Sequence, residues 1–573
     1  MCGILGIVTE KSLDHDGKRF VNGLNLLANR GDCDPVVEYF DSAWLGHVRF
    51  KIIDLDERAS QPLKFGDFVI VYNGELYNFK ELRDELQDKG YAFETESDTE
   101  VIVAAFDLWG GSCVDRFVGM WAFAIFNSKT GDCFLSRDHV GEKPLFYNYD
   151  GKSLFFGSSL TSLLALGDFK KEINLEALQY YFTYHFRHVP YDYCILKGFS
   201  KLAPGCNLYF TLKDGVRIER YWNPTFKKIS DPRDFPKVLT DSVKRACVSD
   251  VPIGLLLSGG VDSSALAFLL KDKGVKTYSI GFDGGDVELK RAERVAERLG
   301  LENEQILFSN HNVISRGLTI FKELIFDLGE PLAILQPVFI KLIAEKVSAD
   351  GVKVLLSGNG ADELLFGYDN AWQSLLLSKA RVPDFKPFLV DHMKNKSLFK
   401  DKQMFDLSEL PRRVNLLCDS KYFIEKSQWL GLVENEHSLT MASDVGGMSV
   451  PVEIRSPFFD KNLMEFIFGL ELDQKITLKK NKVILREFLA DCLGDDYIYE
   501  KKLGFGFNIQ VDQLIRFGWN DEVKRVLFSV LPTCNLFDMS YVSKLYDEHM
   551  SNKDHAAILF RLFAFGVWYE RII

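Results

Sequence analysis

The chain has 573 residues, of which 47% are hydrophobic and 26% charged, with a formal net charge of -12. That length is too great for one core, so two or more domains are expected, and the composition is that of a globular rather than a disordered protein. The acidic balance argues against a long nucleic-acid groove, and no stretch reaches the ~18 apolar residues of a membrane span. The start, MCGILGIVTE, has no basic region before its apolar run and does not read as a secretory signal. Ten cysteines are scattered without a CxxC pair, which suits neither a disulfide framework nor a zinc site. Most are expected to be small buried hydrophobes in a reducing cytoplasm.

The first part reads as short strands separated by turns. Ile4–Val8, Phe68–Tyr72, Trp121–Phe126 and Cys133–Arg137 are apolar, rich in β-branched and aromatic residues, and of strand length. Helical patterns at Phe79–Lys89 and Ser97–Trp109 interrupt them, so two packed sheets flanked by helices are expected. From Asp231 the rhythm changes. Val251–Leu257 is a continuous apolar strand with a helix from Ser263 to Lys271 directly behind it, and Thr277–Phe282 and Lys353–Leu356 are further strands. Alternating βα segments imply a doubly wound parallel sheet whose ligand lies beyond the strand C-termini. Later segments are mainly helical. The expected division is a first domain over 1–205, a linker over 206–230 marked by Asp231-Pro232 at its end, and a second domain over 231–573.

Cys2 becomes the terminal residue if Met1 is removed, and its thiol then lies beside its own α-amino group. Ordinary pKa values of about 8 for the amine and about 8.5 for the thiol put both near working pH. Alone this is weak, since some residue must follow Met1. Three polar islands change the balance: Leu45-Gly46-His47-Val48-Arg49, Tyr72-Asn73-Gly74-Glu75-Leu76-Tyr77-Asn78 and Ser97-Asp98-Thr99-Glu100. They supply a cation for a carboxylate, an anion for an ammonium group and donors for an oxyanion, which are the needs of glutamine. With Arg116–Ala124 and Ser136–Leu145, the first 200 residues resemble the class II glutamine amidotransferase domain of the N-terminal nucleophile hydrolases, an αββα sandwich. The resemblance implies Cys2 as nucleophile, Asn73 and Gly74 as oxyanion donors, Arg49 and Asp98 on the amino-acid end of glutamine, and Glu75 at a further glutamine-binding position. Two departures stand out. The usual Arg-Gly-Pro-Asp turn appears as Arg30-Gly31-Asp32-Cys33-Asp34-Pro35, and Ser159 replaces a familiar glutamate.

Val251–Leu257 runs into Ser258-Gly259-Gly260-Val261-Asp262-Ser263-Ser264 and a helix. A glycine turn at a helix N-terminus is an anion cradle, and without a Walker lysine it is not a kinase-like P-loop. A plain strand-turn-helix connection would also carry Ser-Gly-Gly, but the full string is more specific. It resembles the pyrophosphate loop of enzymes that adenylate a substrate. A second cluster, Ser357-Gly358-Asn359-Gly360-Ala361-Asp362-Glu363, follows another apolar strand. Asp262 and Asp362 would meet at neighbouring strand ends and could hold Mg²⁺ against ATP phosphates; helix N-capping by each is the bland alternative.

Farther on come Pro451–Asp460, Lys482-Val483-Ile484-Leu485-Arg486 and Lys501-Lys502-Leu503-Gly504-Phe505. In this order the whole chain resembles glutamine-hydrolysing asparagine synthetase. The resemblance implies Lys502 as the catalytic lysine and Leu257, Ile280, Ser357 and Gly358 as nucleotide-binding positions. The string Ser258, Gly259, Gly260, Asp262, Ser263 and Ser264 forms the ATP loop, and Glu453 and Asn359 lie at the acceptor. It implies glutamine, ATP and a carboxylate as small-molecule partners, no nucleic acid or membrane, a cytoplasmic location, and compatibility with a homodimer. The reaction implied is an acyl-adenylate formed with release of pyrophosphate, then displacement of AMP by ammonia. Asn359 stands where the family usually has glutamate, and Asp444–Val450 also departs from its pattern. L-Aspartate is therefore the default acceptor, with a sugar uronic acid as an alternative, and a non-catalytic relative as a third reading.

Overall fold

The computed structural model describes residues 2–10, 17–183, 187–190, 192–226, 230–282, 287–368, 397–400, 418, 420, 422–432, 436–494 and 511–573. Its first 220 residues form two six-stranded antiparallel sheets. One runs in the order Phe199–Lys201, Phe146–Tyr149, Ser153–Gly157, Gly3–Thr9, Ala43–Val48, Val36–Tyr39. The other runs Gly215–Arg220, Cys206–Thr211, Cys133–Arg137, Gly119–Asn127, Phe68–Leu76, Leu63–Phe65. Alternate residues of facing strands, among them Ile4, Val8, Leu45, Val69, Val71, Ala122 and Ala124, form the core between the sheets, as the two-residue side-chain period of a strand requires. The outer face of the second sheet packs on the helices Phe79–Asp88 and Asp98–Trp109. That of the first packs on Lys18–Asn25, Leu160–Leu164 and Leu175–Thr183. The result is the expected αββα sandwich.

The second unit is a five-stranded parallel sheet ordered Asn303–Phe308, Lys276–Phe282, Ile253–Leu256, Val354–Leu356, Glu453–Arg455. The chain leaves from the central Ile253–Leu256 strand in one direction, then returns to its other side. This reversal opens a crevice between the C-terminal ends of Ile253–Leu256 and Val354–Leu356, the usual ligand position in such sheets. Helices including Asn310–Leu328, Met539–Met550 and Ala556–Ile572 complete the unit. Among the described residues no helix is long and apolar enough to cross a membrane.

The structure corrects the expected linker. Residues 206–220 are the antiparallel pair Cys206–Thr211 and Gly215–Arg220 at the edge of the second sheet. Cys206, Leu208 and Phe210 alternate into its core, and the turn at Pro204-Gly205 leads into this hairpin. The strand expected at Val251–Leu257 is shorter, Ile253–Leu256.

The two units share one apolar cluster, which joins Leu5, Phe20, Tyr181 and Phe182 to Phe321, Phe560, Phe565 and Trp568. Lys201 and Glu330 meet within it at 2.9 Å, each 1% exposed, and pin the first sheet to the second unit.

Candidate active site

Cys2 stands at the head of Gly3–Thr9, a strand with neighbours on both sides, and is buried. Its main-chain N–H donates to Asn73 Oδ1 at 3.1 Å, and its Sγ accepts from the Phe50 N–H at 3.4 Å. Asn73 is wholly buried, and its Nδ2 has no partner among the described residues. A buried amide donor left unmatched costs about 1–3 kcal/mol, so such a group marks a place where an acceptor fits. At Gly74 a Cβ would lie 2.1 Å from the Met120 carbonyl oxygen, so only glycine lets the strand pass there.

Asp98 opens the helix Asp98–Trp109 and accepts from the Tyr72 hydroxyl at 3.1 Å and the Leu76 N–H at 2.9 Å. Burial raises its pKa to about 6 despite these two bonds. The Arg49 guanidinium donates to the Asp54 and Asp56 carbonyls, the latter at 2.7 Å, which fixes its plane. Burial pushes the Cys2 thiol up to about 11, while the Phe50 N–H and Arg49 pull the other way. The thiol is therefore neutral at ordinary pH and needs a base to become a nucleophile. Burial, reinforced by Glu453 and opposed by Arg455, carries Glu75 well above the usual carboxylate range. Arg455 Nη2 lies 3.5 Å from Glu75 and its Nε 2.6 Å from Glu453, so this charge cluster joins the two units.

In the crevice of the parallel sheet the ATP-loop residues come together. Ser258 and Ser263 link their hydroxyls at 3.1 Å, and the Gly260 N–H donates to Ser258 Oγ at 3.3 Å. Gly259 has φ +71°, and a Cβ there would meet the Ala292 nitrogen at 2.5 Å, so the turn requires glycine on both counts. Ser264 opens the helix Val261–Leu270 through its N–H to the Gly260 carbonyl. Leu257 is buried behind the loop, with its N–H on the Tyr278 carbonyl, and Ile280 lies on the neighbouring strand. Ser357 and Gly358 begin the second loop, where Gly358 approaches so closely that its Cβ would sit 3.0 Å from that of Asp262.

Asp262 and Asp362 do converge, but neither is a cap: Gly260 and Gly360 hold those positions. Both carboxylates meet Lys482 Nζ, at 2.6 Å and 2.5 Å. Burial works against that ammonium, and the two aspartates outweigh it, raising Lys482 above the ordinary lysine value. Two carboxylates focused on one cation form a hard oxygen donor set that fits Mg²⁺. Sequence reasoning named Lys482 only as part of a motif and missed its place; nothing local signals a partner 220 residues away.

Asn359 Nδ2 donates to Ser443 Oγ at 3.1 Å, in a cleft lined also by Glu142, Lys143, Ser357 and Ser456. Glu453 starts the last strand of the parallel sheet, and its neighbour Ile454 lines this cleft. Lys502 and the stretch 501–505 lie outside the described residues.

A buried N-terminal thiol in an αββα sandwich, joined to a parallel-sheet unit with a glycine cradle at its switch point, defines a two-centre glutamine amidotransferase. The model of the glutamine amidotransferase domain matches residues 1–222, and that of asparagine synthase matches 234–570. The chain belongs to the asparagine synthase family and is a carbon-nitrogen ligase of the glutamine-hydrolysing type. It is 30% identical to asparagine synthetase [glutamine-hydrolyzing] 3 of Bacillus subtilis (strain 168), over 88% of this chain and 86% of that one. Asparagine synthetase [glutamine-hydrolyzing] 1 of the same organism is 27% identical over 100% of this chain and 96% of its own. A putative asparagine synthetase [glutamine-hydrolyzing] 2 of Methanocaldococcus jannaschii is 34% identical over 64% of this chain and 76% of its own.

Replacing Lys482 by Met removes the cation that Asp262 and Asp362 share. Millimolar MgCl₂ is expected to raise the melting temperature of this variant by several degrees, and that of the native protein by less. Equal shifts in the two thermal unfolding curves would show that Asp262 and Asp362 do not share a cation site.

Proposed function

We propose that this enzyme hydrolyses glutamine at Cys2 and uses the ammonia to amidate a carboxylate activated by ATP, with L-aspartate as the default acceptor and asparagine as product. The observation that carries the reading is Asn73, whose Oδ1 takes the Cys2 N–H while its buried Nδ2 is unmatched among the described residues. Once Met1 is removed, the amine of Cys2 in its neutral form takes the thiol proton. The thiolate attacks the glutamine amide, and Asn73 Nδ2 with the Gly74 N–H receives the oxyanion. Asp98 pairs with the glutamine ammonium group, Arg49 with its carboxylate, and Glu75 lines the same pocket. Ammonia leaves, and water hydrolyses the glutamyl thioester to glutamate.

At the second centre the acceptor carboxylate attacks the α-phosphorus of ATP, and the bond to pyrophosphate breaks. Ammonia then adds to the acyl-adenylate, loses a proton, and AMP departs. A carboxylate is a poor electrophile and the adenylate supplies the leaving group. The Ser258–Ser264 loop cradles the phosphates with backbone N–H groups and hydroxyls, Leu257 and Ile280 flank the nucleotide, and Ser357 and Gly358 close the other side. Asp262 and Asp362 would hold Mg²⁺, which neutralises phosphate charge. Lys502 stabilises charge at the α-phosphate, and Glu453 and Asn359 face the acceptor.

One observation favours a second acceptor. Asn359 is a neutral amide bonded to Ser443, where the family resemblance leads one to expect a glutamate able to take a proton. A sugar uronic acid is the alternative. AMP release with glutamine, ATP and Mg²⁺ across aspartate, uronic acids and their nucleotide-sugar forms decides. Strictly aspartate-dependent turnover to asparagine would remove the alternative, and no AMP with any acid would remove the reading altogether.

Cys2→Ala is expected to lose glutamine hydrolysis by at least about a thousandfold and to keep AMP formation from ammonium salts. Retained glutaminase activity in that variant would contradict the assignment of the nucleophile.

Glutamine binding needs ionised Asp98, and the raised pKa leaves this group protonated below about 6 in the free enzyme. The Cys2 amine, with its ordinary pKa of about 8, must also be neutral, so glutaminase kcat/KM is expected to fall about tenfold per pH unit between roughly 8 and 6 and about a hundredfold per unit below about 6. A slope unchanged across pH 6 would exclude Asp98 as the ammonium partner.

A further inference from the structure

The two stretches in which the sequence departs from its family meet at the boundary between the two units. Arg30 opens the altered turn and Asp444 opens the altered helix segment. Arg30 is 7% exposed and Asp444 2%. The guanidinium binds the carboxylate with two bonds, Nη1 to Oδ2 at 2.9 Å and Nη2 to Oδ1 at 3.0 Å. Its remaining Nε donates to the main-chain carbonyl of Cys2 at 3.1 Å. One side chain thus holds the nucleophile's own backbone with one edge and the second unit with the other. Two residues along the same turn, Asp32 makes a second link at 2.5 Å to Lys353.

Asp444 lies on the helix Glu436–Met448, and the preceding residue, Ser443, is the hydrogen-bond partner of Asn359 in the second loop. Any movement of that loop would reach Ser443 and, through the helix backbone, its neighbour Asp444. Asp444 also lines two clefts at the boundary, one beside Asn359 and one beside Arg30 and Ser158. A planar, doubly bonded guanidinium transmits orientation, which a single point contact would not.

We propose that Arg30 and Asp444 are positioning residues that couple glutamine hydrolysis to the second centre: the bidentate pair sets the Cys2 main chain according to the position of the Ser443–Asn359 contact. The proposal rests on the function given above. Its consequence is specific. Weakening the pair frees Cys2 from the second centre, so glutamine is hydrolysed without amide being formed.

The test is made on the full-length enzyme with glutamine, ATP and Mg²⁺, using L-aspartate or, if that acid is not turned over, D-glucuronate. Glutamate and AMP are measured in the same reaction, and AMP again with ammonium chloride in place of glutamine. In Asp444→Asn and in Arg30→Lys the ratio of glutamate to AMP is expected to rise at least about fivefold, and Asp444→Glu, which restores a carboxylate, to return it to within roughly twofold of the native enzyme. A merely structural contact would lower melting temperature and both products together, leaving the ratio where it was. A ratio within roughly twofold of native in both Asp444→Asn and Arg30→Lys therefore overturns the proposal, whatever their stability. Native enzyme that forms no AMP from either nitrogen source brings down the functional reading first, and the coupling with it.

Discussion

A guanidinium with no access to water is tolerated only where carboxylates and carbonyls surround it, and Arg455 sets much of the geometry for that reason. Its exposure is 0%. Nε meets Glu453, Nη1 donates to the Ala246 and Val248 carbonyls at 3.0 and 2.6 Å, Nη2 faces Glu75, and the group lies over the Tyr77 ring. Burial alone would lower its pKa, but Glu453 and Glu75 raise it above the ordinary arginine value. These partners come from the last strand of the parallel sheet, from the turn before its central strand, and from the strand that carries Asn73 and Gly74. The buried cation thus fixes how the two centres face each other.

The opposite arrangement governs the two glycine loops of the parallel sheet. There one ammonium, Lys482, sits between two carboxylates, so a cluster rich in acid holds together before any ligand arrives. Lys482 itself adopts φ +51°, a left-handed conformation uncommon for a side chain of this kind. Its N–H bonds to the Leu365 carbonyl, at the end of the helix that bears Asp362. Gly367 leaves the room: a Cβ there would lie 1.7 Å from Asp362 Oδ1 and 2.4 Å from Lys482 Cε.

Much of this was legible in the sequence because it is local. Apolar runs gave the strands Gly3–Thr9, Phe68–Leu76 and Gly119–Asn127, and a glycine turn between strand and helix gave the loop after Ile253–Leu256. What escaped depends on the fold. Gly215–Arg220 is an edge strand with mostly exposed side chains, so it carries no alternating signal, and its partner strand was lost in the supposed linker with it. Lys482 and Arg30 find their carboxylates, and Arg455 its second one, Glu75, only after distant segments pack. A charge in a helix-rich stretch reads as a solvated face until its partner is known. The glycines were visible as glycines, but the backbone or side chain that forces each one was not.

The last helix of the chain bears on how the first unit can be made. Ala556–Ile572 packs against the helix Leu175–Thr183 that lies on the first sheet, where the Tyr181 hydroxyl donates to the Arg561 carbonyl across 380 residues and Phe565 packs on Phe182. At about 5–20 residues per second, a ribosome needs roughly 20–75 s to deliver that helix after the face it covers has emerged. Throughout that interval the nascent sandwich presents an uncovered patch of aromatic and aliphatic side chains. Synthesis of this protein therefore includes a period in which Phe182 lacks its cover from Phe565.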